Sequence, residues 1–289
     1  MKNSSINEIL EYIHSRNVPP RPWIDDVPMN YLDSHLQKFL FDLQTNQHND
    51  HGCRRIQDIR IHSEWLHQKL CKNTPSRILD LDCGPGYFSH YLAGKEHFCL
   101  GIDISATAIE CANNKKGSLA SRLQFKVGNI LTIDFPSEFD LVIMPYSIFN
   151  DLNPDEATLL IQKIRSSLTQ TGQFYFEALV LSSPADPYLN RWQYAPFGNL
   201  FCPNPCLCLS EQFYCPITQT IIHRVYNIDL AEIELQEIST TQTFYTSIQY
   251  KKLLIENGFH SVYFPKLPKS TYKGDDRAYF SLVARKKDE

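Results

Sequence analysis

The sequence predicts an α/β fold: a doubly wound, mostly parallel sheet of seven strands, with a helical N-terminal extension and an antiparallel insertion in the C-terminal half. Three observations predict it. From Arg77 to Leu179, short apolar runs of strand length alternate with amphipathic helical stretches, the pattern of βαβ units. The first of these strands runs into the glycine turn Cys83-Gly84-Pro85-Gly86 and then into a helix. After Leu181 the helical period gives way to polar–apolar alternation, which suits an antiparallel ribbon.

Length and composition bound the function. The 289 residues suffice for one large domain with an elaboration, and a hydrophobic fraction of 43% supports a proper core. The net charge of −4 and the lack of a basic stripe exclude a nucleic-acid backbone as partner. No run approaches about 18 apolar residues, and Met1-Lys2-Asn3-Ser4 begins no apolar signal region, so no membrane association and a cytoplasmic location are expected. Nine scattered cysteines suit reduced thiols better than a disulfide framework. Cys202, Cys206, Cys208 and Cys215 invite a zinc reading, but their spacing repeats no C-x-x-C pair, and no metal is expected.

The elements follow in order. Ser5-Ile6-Asn7-Glu8 is a capping-box pattern, and Ile6, Ile9, Leu10 and Ile13 fall on one helical face that must end before Pro19-Pro20. Leu32, Leu36, Phe39, Leu40 and Leu43 set a second helix, and Ile59, Leu66 and Leu70 a third over about 56–70, with a polar loop from Thr45 to Gly52 between them. Ile78 to Leu81 is the first strand; Ser89 to Leu92 continue a helix for which Gly94 is a stop. Phe98 to Ile104 is the second strand, and Ser105 caps a helix burying Ala108, Ile109 and Ala112. Leu123 to Val127 and Phe139 to Met144 are the next two strands. Asn153-Pro154-Asp155-Glu156 starts a helix with a cap, a proline at its first position and acids in its first turn. Its stripe runs from Ala157 to Leu168 and Gly172 ends it, before a fifth strand from Gln173 to Leu179. Ser182 to Pro205 reads as an aromatic-rich loop, followed by three strands near 206–214, 219–228 and 233–245. A helix from Ser247 to Asn257, stopped by Gly258, and strands at His260 to Phe264 and Ala278 to Ala284 close the chain.

Four groups carry chemistry. Asp80, Gly84 and Gly86 line a strand–turn–helix corner, where glycine lets a ligand approach the backbone and a helix N-terminus favours it. Asp103 ends the next strand, where a carboxylate can accept both ribose hydroxyl protons of a nucleoside. Asn129 lies beyond the third strand, where an amide can bond an adenine edge. Pro145-Tyr146 follows the fourth strand at the crevice where such sheets bind ligands.

These residues resemble the motifs of the class I S-adenosylmethionine-dependent methyltransferases, a Rossmann-like family. Ile78 to Gly86 is similar to the family's first motif, Gly101-Ile102-Asp103-Ile104-Ser105 to its second, and Leu168 to Phe176 to its leucine–turn–glycine–strand segment. The closing Gly258-Phe259 and two strands resemble the family's final hairpin, in which the last strand is antiparallel. Pro22-Trp23, Arg54-Arg55 and Trp65-Leu66 resemble a subgroup of small bacterial members. The resemblance implies a helical cap over 1–74 and a methyltransferase domain over 75–289 with an insertion at about 182–246. It implies S-adenosylmethionine as cofactor, with Gly84 and Gly86 beneath the methionine moiety and Asp80 at its amine end. Asp103 would hold the ribose diol, with Ile104 against the adenine, Asn129 and Ile130 flanking it, and Tyr146 near the sulfonium. Two residues depart from the family. Asn129 replaces the usual aspartate. Asp82 replaces the usual glycine, where it either crowds the loop or puts its charge beside the sulfonium.

Methyl transfer from a sulfonium needs mainly proximity and orientation, and a base only if the acceptor arrives protonated. Candidates facing the crevice are Tyr146, Glu177 and His223 as catalytic groups and Asn150 and Tyr245 as acceptor contacts, with Trp192 and Tyr194 shaping an apolar pocket. The alternation around His223 suits a surface or packing residue better than a catalytic one, and Arg54-Arg55 reads as a solvated helix end or an anion site. The leading expectation is O- or N-methylation of a small-molecule or peptide natural product by a monomer or homodimer, with the helical N-terminus and the insertion closing over the acceptor. A nicotinamide-dependent oxidoreductase shares the glycine turn and ribose acid but wants a third glycine where Ser89 stands. A non-catalytic binding protein that kept the fold is the third reading.

Overall fold

The computed structural model describes residues 5–31, 33–48, 52–181, 188–268 and 278–286. It divides into two compact units: Met1–Phe39 with Ser183–Phe244, and Leu40–Ser182 with Tyr245–Glu289. This partition differs from the expected cut at residue 74, because the third helix packs within the larger unit.

The larger unit holds seven strands: β1 (Arg77–Leu81), β2 (Phe98–Asp103), β3 (Leu123–Val127), β4 (Phe139–Met144), β5 (Leu168–Val180), and the two of the final hairpin. Between β5 and that hairpin the chain builds four strands of the smaller unit: β6 (Tyr188–Ala195), β7 (Cys206–Cys215), β8 (Thr220–Asp229) and β9 (Glu234–Thr243). The hairpin is β10 (Ser261–Tyr263) and β11 (Ala278–Arg285). The sheet order is β10-β11-β5-β4-β1-β2-β3, with β11 antiparallel to both neighbours and β1 to β5 mutually parallel. The expected seven-stranded, mostly parallel sheet is therefore observed.

Strand alternation sorts the core into two layers. Leu79, Val142 and Phe174 face one side, against Ala157, Leu160, Ile161 and Ile164 of α6 (Pro154–Ser167) and Tyr250 and Leu254 of α7 (Ser247–Glu256). Ile78, Leu141, Ile143 and Tyr175 face the other, against Ile59 of α3 (Ile56–Trp65), Leu92 and Ala93 of α4 (Tyr87–Gly94) and Ile109 and Ala112 of α5 (Ala106–Asn114). Each fully buried leucine or isoleucine of these layers contributes about 2 kcal/mol of transfer free energy. The third helix continues as one π-helical turn over Leu66–Leu70.

The caps follow the sequence. In α6 the Asn153 side chain accepts the N–H groups of Asp155 and Glu156, and Glu156 returns the bond to Asn153. Replacing Asn153 by Ala should destabilise the protein by about 1 kcal/mol, read as a lower urea midpoint at unchanged slope. The helix ends at Ser167, earlier than expected, and Leu168 already starts β5. Gly172 is thus a strand residue: a Cβ there would lie 2.9 Å from the Phe139 carbonyl oxygen, beside the register shift between Phe139 and Leu141.

In the smaller unit the order is β6-β7-β8-β9, antiparallel throughout. The segment expected to be a loop contains the edge strand β6, and its first part, 182–187, lies outside the described residues. The strand was hidden because nearly every β6 side chain is exposed, so no alternation marks it. The α1 helix (Ile6–His14) starts at a Ser5–Glu8 capping box and buries Ile9 with Tyr226, Ile228 and Leu235. Ile6 and Leu10, expected on the same buried stripe, are exposed. Glu211 is buried between Arg16 and Arg224, each at 2.6 Å. The α2 helix (Ser34–Thr45) spans the boundary between the two units, and Leu32 lies outside the described residues.

Candidate active site

Within the larger unit the chain runs β1, β2, β3 in one direction across the sheet and β4, β5 in the other, so the order reverses between β1 and β4. Open α/β sheets bind ligands at that point, off the C-terminal strand ends. A crevice opens there. Its walls are Asp80 and Asp82 to Pro85 from the β1 end, Tyr87 and Phe88 from the first turn of α4, Pro145 and Tyr146 from the β4 end, and Gln44 and Gly52 to Arg54 from the chain before α3.

The glycine turn has the backbone its sequence requires. Gly84 and Gly86 hold φ 52° and 76°, values that cost side-chain-bearing residues strain. Gly86 is also the N-cap of α4, and a Cβ on it would sit 2.7 Å from the Phe125 ring. Asp103 ties the turn to β2: its carboxylate accepts the Gly84 N–H at 2.7 Å and the Ser105 N–H at 2.7 Å. Burial pushes its carboxyl above the usual range, while these two bonds pull it back. Asp80 accepts the Ser89 hydroxyl at 2.6 Å on one oxygen and leaves Oδ1 without a partner, although the residue is 1% exposed. Burial pushes its carboxyl up to about 7.

Below the other wall lies a buried ion pair. Arg54 donates to Glu177 at 2.7 Å, and Glu177 also accepts the Tyr146 N–H at 2.9 Å and the Tyr175 hydroxyl at 2.9 Å. Burial opposes the Glu177 charge, but Arg54, His62 and these bonds outweigh it and hold the carboxyl below its usual range. The Arg54 guanidinium lies 4.9 Å from the Tyr279 ring and 5.9 Å from that of Tyr146. Tyr146, at φ 73°, is thus gripped by its backbone and its ring.

Several expected site residues are placed differently. Glu177 is fully buried beneath the crevice, where it is ion-paired with Arg54 and accepts the Tyr146 N–H. Asn150 is also fully buried, its amide exchanging hydrogen bonds with the Leu179 backbone at 3.2 and 2.8 Å, so it fixes a strand end. Tyr245 packs on Tyr250 against the core. His223, Trp192 and Tyr194 belong to the smaller unit, where Trp192 is 73% and Tyr194 52% exposed and burial lowers the His223 imidazole. Ile104, Asn129 and Ile130 follow β2 and β3 outside the crevice lining. Asn129 caps the next turn by accepting the Leu131 N–H at 2.8 Å, leaving its amide NH2 for an outside acceptor. Arg54, read as a solvated helix end, is instead buried in the crevice wall. Gln44, Cys53, His62, Tyr175 and Tyr279 carried no sequence signal beyond composition. Among the described residues no group of three or more His, Cys, Asp or Glu side chains could hold a metal ion, and no helix is long and apolar enough to cross a membrane.

A doubly wound sheet with a glycine turn, an acid at the end of the next strand and a crevice at the switch point defines a nucleotide-binding α/β protein. Residues 78–172 match the family model described as the methyltransferase domain. The chain carries a class I S-adenosylmethionine-dependent methyltransferase domain; it is a methyltransferase, and S-adenosylmethionine is its cofactor.

Solved structures share the fold at low identity. The 1,6-didemethyltoxoflavin N1-methyltransferase of Burkholderia thailandensis, solved with that compound and S-adenosylhomocysteine, is 16% identical with a TM-score of 0.56, covering 93% of this chain and 94% of its own. The CcbJ methyltransferase of Streptomyces caelestis is 14% identical with a TM-score of 0.55, covering 79% and 89%. CalS10 of Micromonospora echinaspora, an amino pentose methyltransferase of calicheamicin biosynthesis solved with S-adenosylmethionine, is 14% identical with a TM-score of 0.52, covering 80% and 91%. No curated protein matches the chain.

The crevice fits that cofactor on its own observations. Asp80 Oδ1 is a buried acceptor in need of a donor, which an ammonium group supplies. The glycine turn brings the Gly84 backbone to the crevice floor, braced by Asp103, which is 2% exposed and, like Gly86, lies outside the crevice lining.

Proposed function

We propose that the protein methylates an oxygen or nitrogen of a small-molecule or peptide natural product. The observation that carries the reading is the Asp103-braced glycine turn at the switch point, opposite a wall of Tyr146 and Arg54. Structural neighbours described as an amino pentose methyltransferase and a 1,6-didemethyltoxoflavin N1-methyltransferase support the acceptor class.

Gly84 and Gly86 would lie beneath the methionine moiety, Asp80 at its ammonium and Asp103 at the ribose diol, with Ile104, Asn129 and Ile130 around the adenine. The bound cofactor supplies a methyl group on a sulfonium already activated for in-line displacement. Tyr146 is the side chain best placed beside the reacting centre, because the Glu177–Arg54 pair fixes both its backbone and the cation beside its ring. The Tyr146 and Tyr279 rings, 5.9 Å apart, close this wall against water. With Glu177 held as an ionised structural acceptor, an acceptor whose lone pair is already free, a carboxylate or an unprotonated amine, needs no base from it.

Incubation with trideuteromethyl-labelled S-adenosylmethionine and panels of amine, carboxylate and phenol acceptors tests this by mass spectrometry. Addition of one labelled methyl to an amine or carboxylate is expected. Labelling of phenols alone, at a rate that rises with acceptor ionisation, would overturn the acceptor assignment.

A further inference from the structure

Asp82 is the residue of the turn that departs from the family's glycine, and the fold accommodates it. It takes φ 58°, and the loop keeps its bonds: Cys83 N–H donates to the Ile102 carbonyl at 3.1 Å and Gly84 N–H to Asp103 at 2.7 Å. Crowding is therefore not its effect. Its carboxylate lines the crevice and has no hydrogen-bond partner among the described residues. Asp103, Asp151 and Asp80 all act on it repulsively. Asp80 lines the same crevice with its own unpartnered Oδ1. The cation in the lining, Arg54, is bound to Glu177, and burial pushes the thiols of Cys53 and Cys83 up, so both stay neutral.

This wall gathers carboxyl groups whose ionised forms only a cationic ligand favours. The cofactor before and after methyl transfer differs only at its sulfur: the donor carries a methylated sulfonium, the product a neutral thioether, on the same amino acid and adenosine. We propose that Asp82 makes the crevice charge-selective, so that S-adenosylmethionine is held in preference to S-adenosylhomocysteine and the spent cofactor leaves when its sulfur loses the charge. The inference rests on the crevice being the cofactor site. It has a proton signature. Burial and the neighbouring carboxylates raise the Asp82 carboxyl well above the usual range, and a sulfonium beside it favours the ionised form. Binding of the donor then releases a proton that binding of the product does not.

Titration calorimetry of the full chain with both ligands, in two buffers of different ionisation enthalpy, tests the proposal. Wild type should bind the donor about tenfold more tightly than the product, with greater proton release. Asp82→Asn and Asp82→Gly should bind the two alike and lose the extra proton; glycine suits the backbone at this position, which guards against misfolding. If wild type and both variants bind both ligands at one common ratio, the cofactor site stands and the charge-selection proposal falls. If wild type binds neither ligand, the cofactor reading falls and the proposal with it.

Discussion

Asp103→Ala should weaken S-adenosylmethionine binding by about tenfold to a hundredfold. The carboxylate braces the glycine turn through Gly84 and the next helix through Ser105, both at 2.7 Å, and is the proposed ribose acceptor. Charge-assisted bonds of this kind are worth about 1.5–3 kcal/mol each, so losing the ribose contacts alone reaches the lower figure. Asp103→Asn keeps an acceptor for one N–H and should fall between the two. Calorimetry reads both. Unchanged affinity in the alanine variant would overturn the ribose assignment, and a fold lost together with affinity is recognised by the circular dichroism of the same sample.

Arg54→Ala should be the most destabilising single change in the larger unit, at about 3–5 kcal/mol, because it leaves Glu177 buried without its counter-charge. The pH dependence carries a sign. In wild type the Glu177 carboxyl lies below its usual value when folded. Its contribution is therefore present above the ordinary glutamate range and lost as pH falls through the lowered folded value. In the variant, desolvation is unopposed by Arg54 and the folded value rises, so the variant loses stability as pH climbs through the ordinary range. The gap between the two proteins should widen from about pH 4 towards neutrality in urea unfolding. Adding Glu177→Gln should recover much of the loss. A gap independent of pH would contradict the ion-pair account.

What the sequence made legible follows from where each signal is stored. Apolar periodicity and caps are local, so β1 to β5, α6 and its Asn153 cap are readable in one dimension, and the order Asp80, Gly84, Gly86, Asp103 is enough to place the crevice. The far wall is not local. Arg54, Glu177 and Tyr175, and Tyr279 come from three separated segments and meet only when β5 and β11 pair. Arg54 beside Arg55 looks like solvated charge because nothing nearby in the chain supplies its partner. β6 escaped for the opposite reason: an edge strand exposed on both faces has no alternation to read. Asn150 shows the limit of position alone. It lies just past the crevice in sequence, yet its amide is spent on the Leu179 backbone.

The central claim is that the crevice between β1 and β4 is built for S-adenosylmethionine. Equilibrium titration of the full chain with S-adenosylmethionine and with NAD, each also against Asp103→Ala, tests it directly. Saturable binding of one S-adenosylmethionine per chain, weakened by the substitution, is expected, with no binding of NAD. Binding of NAD with none of S-adenosylmethionine would contradict it.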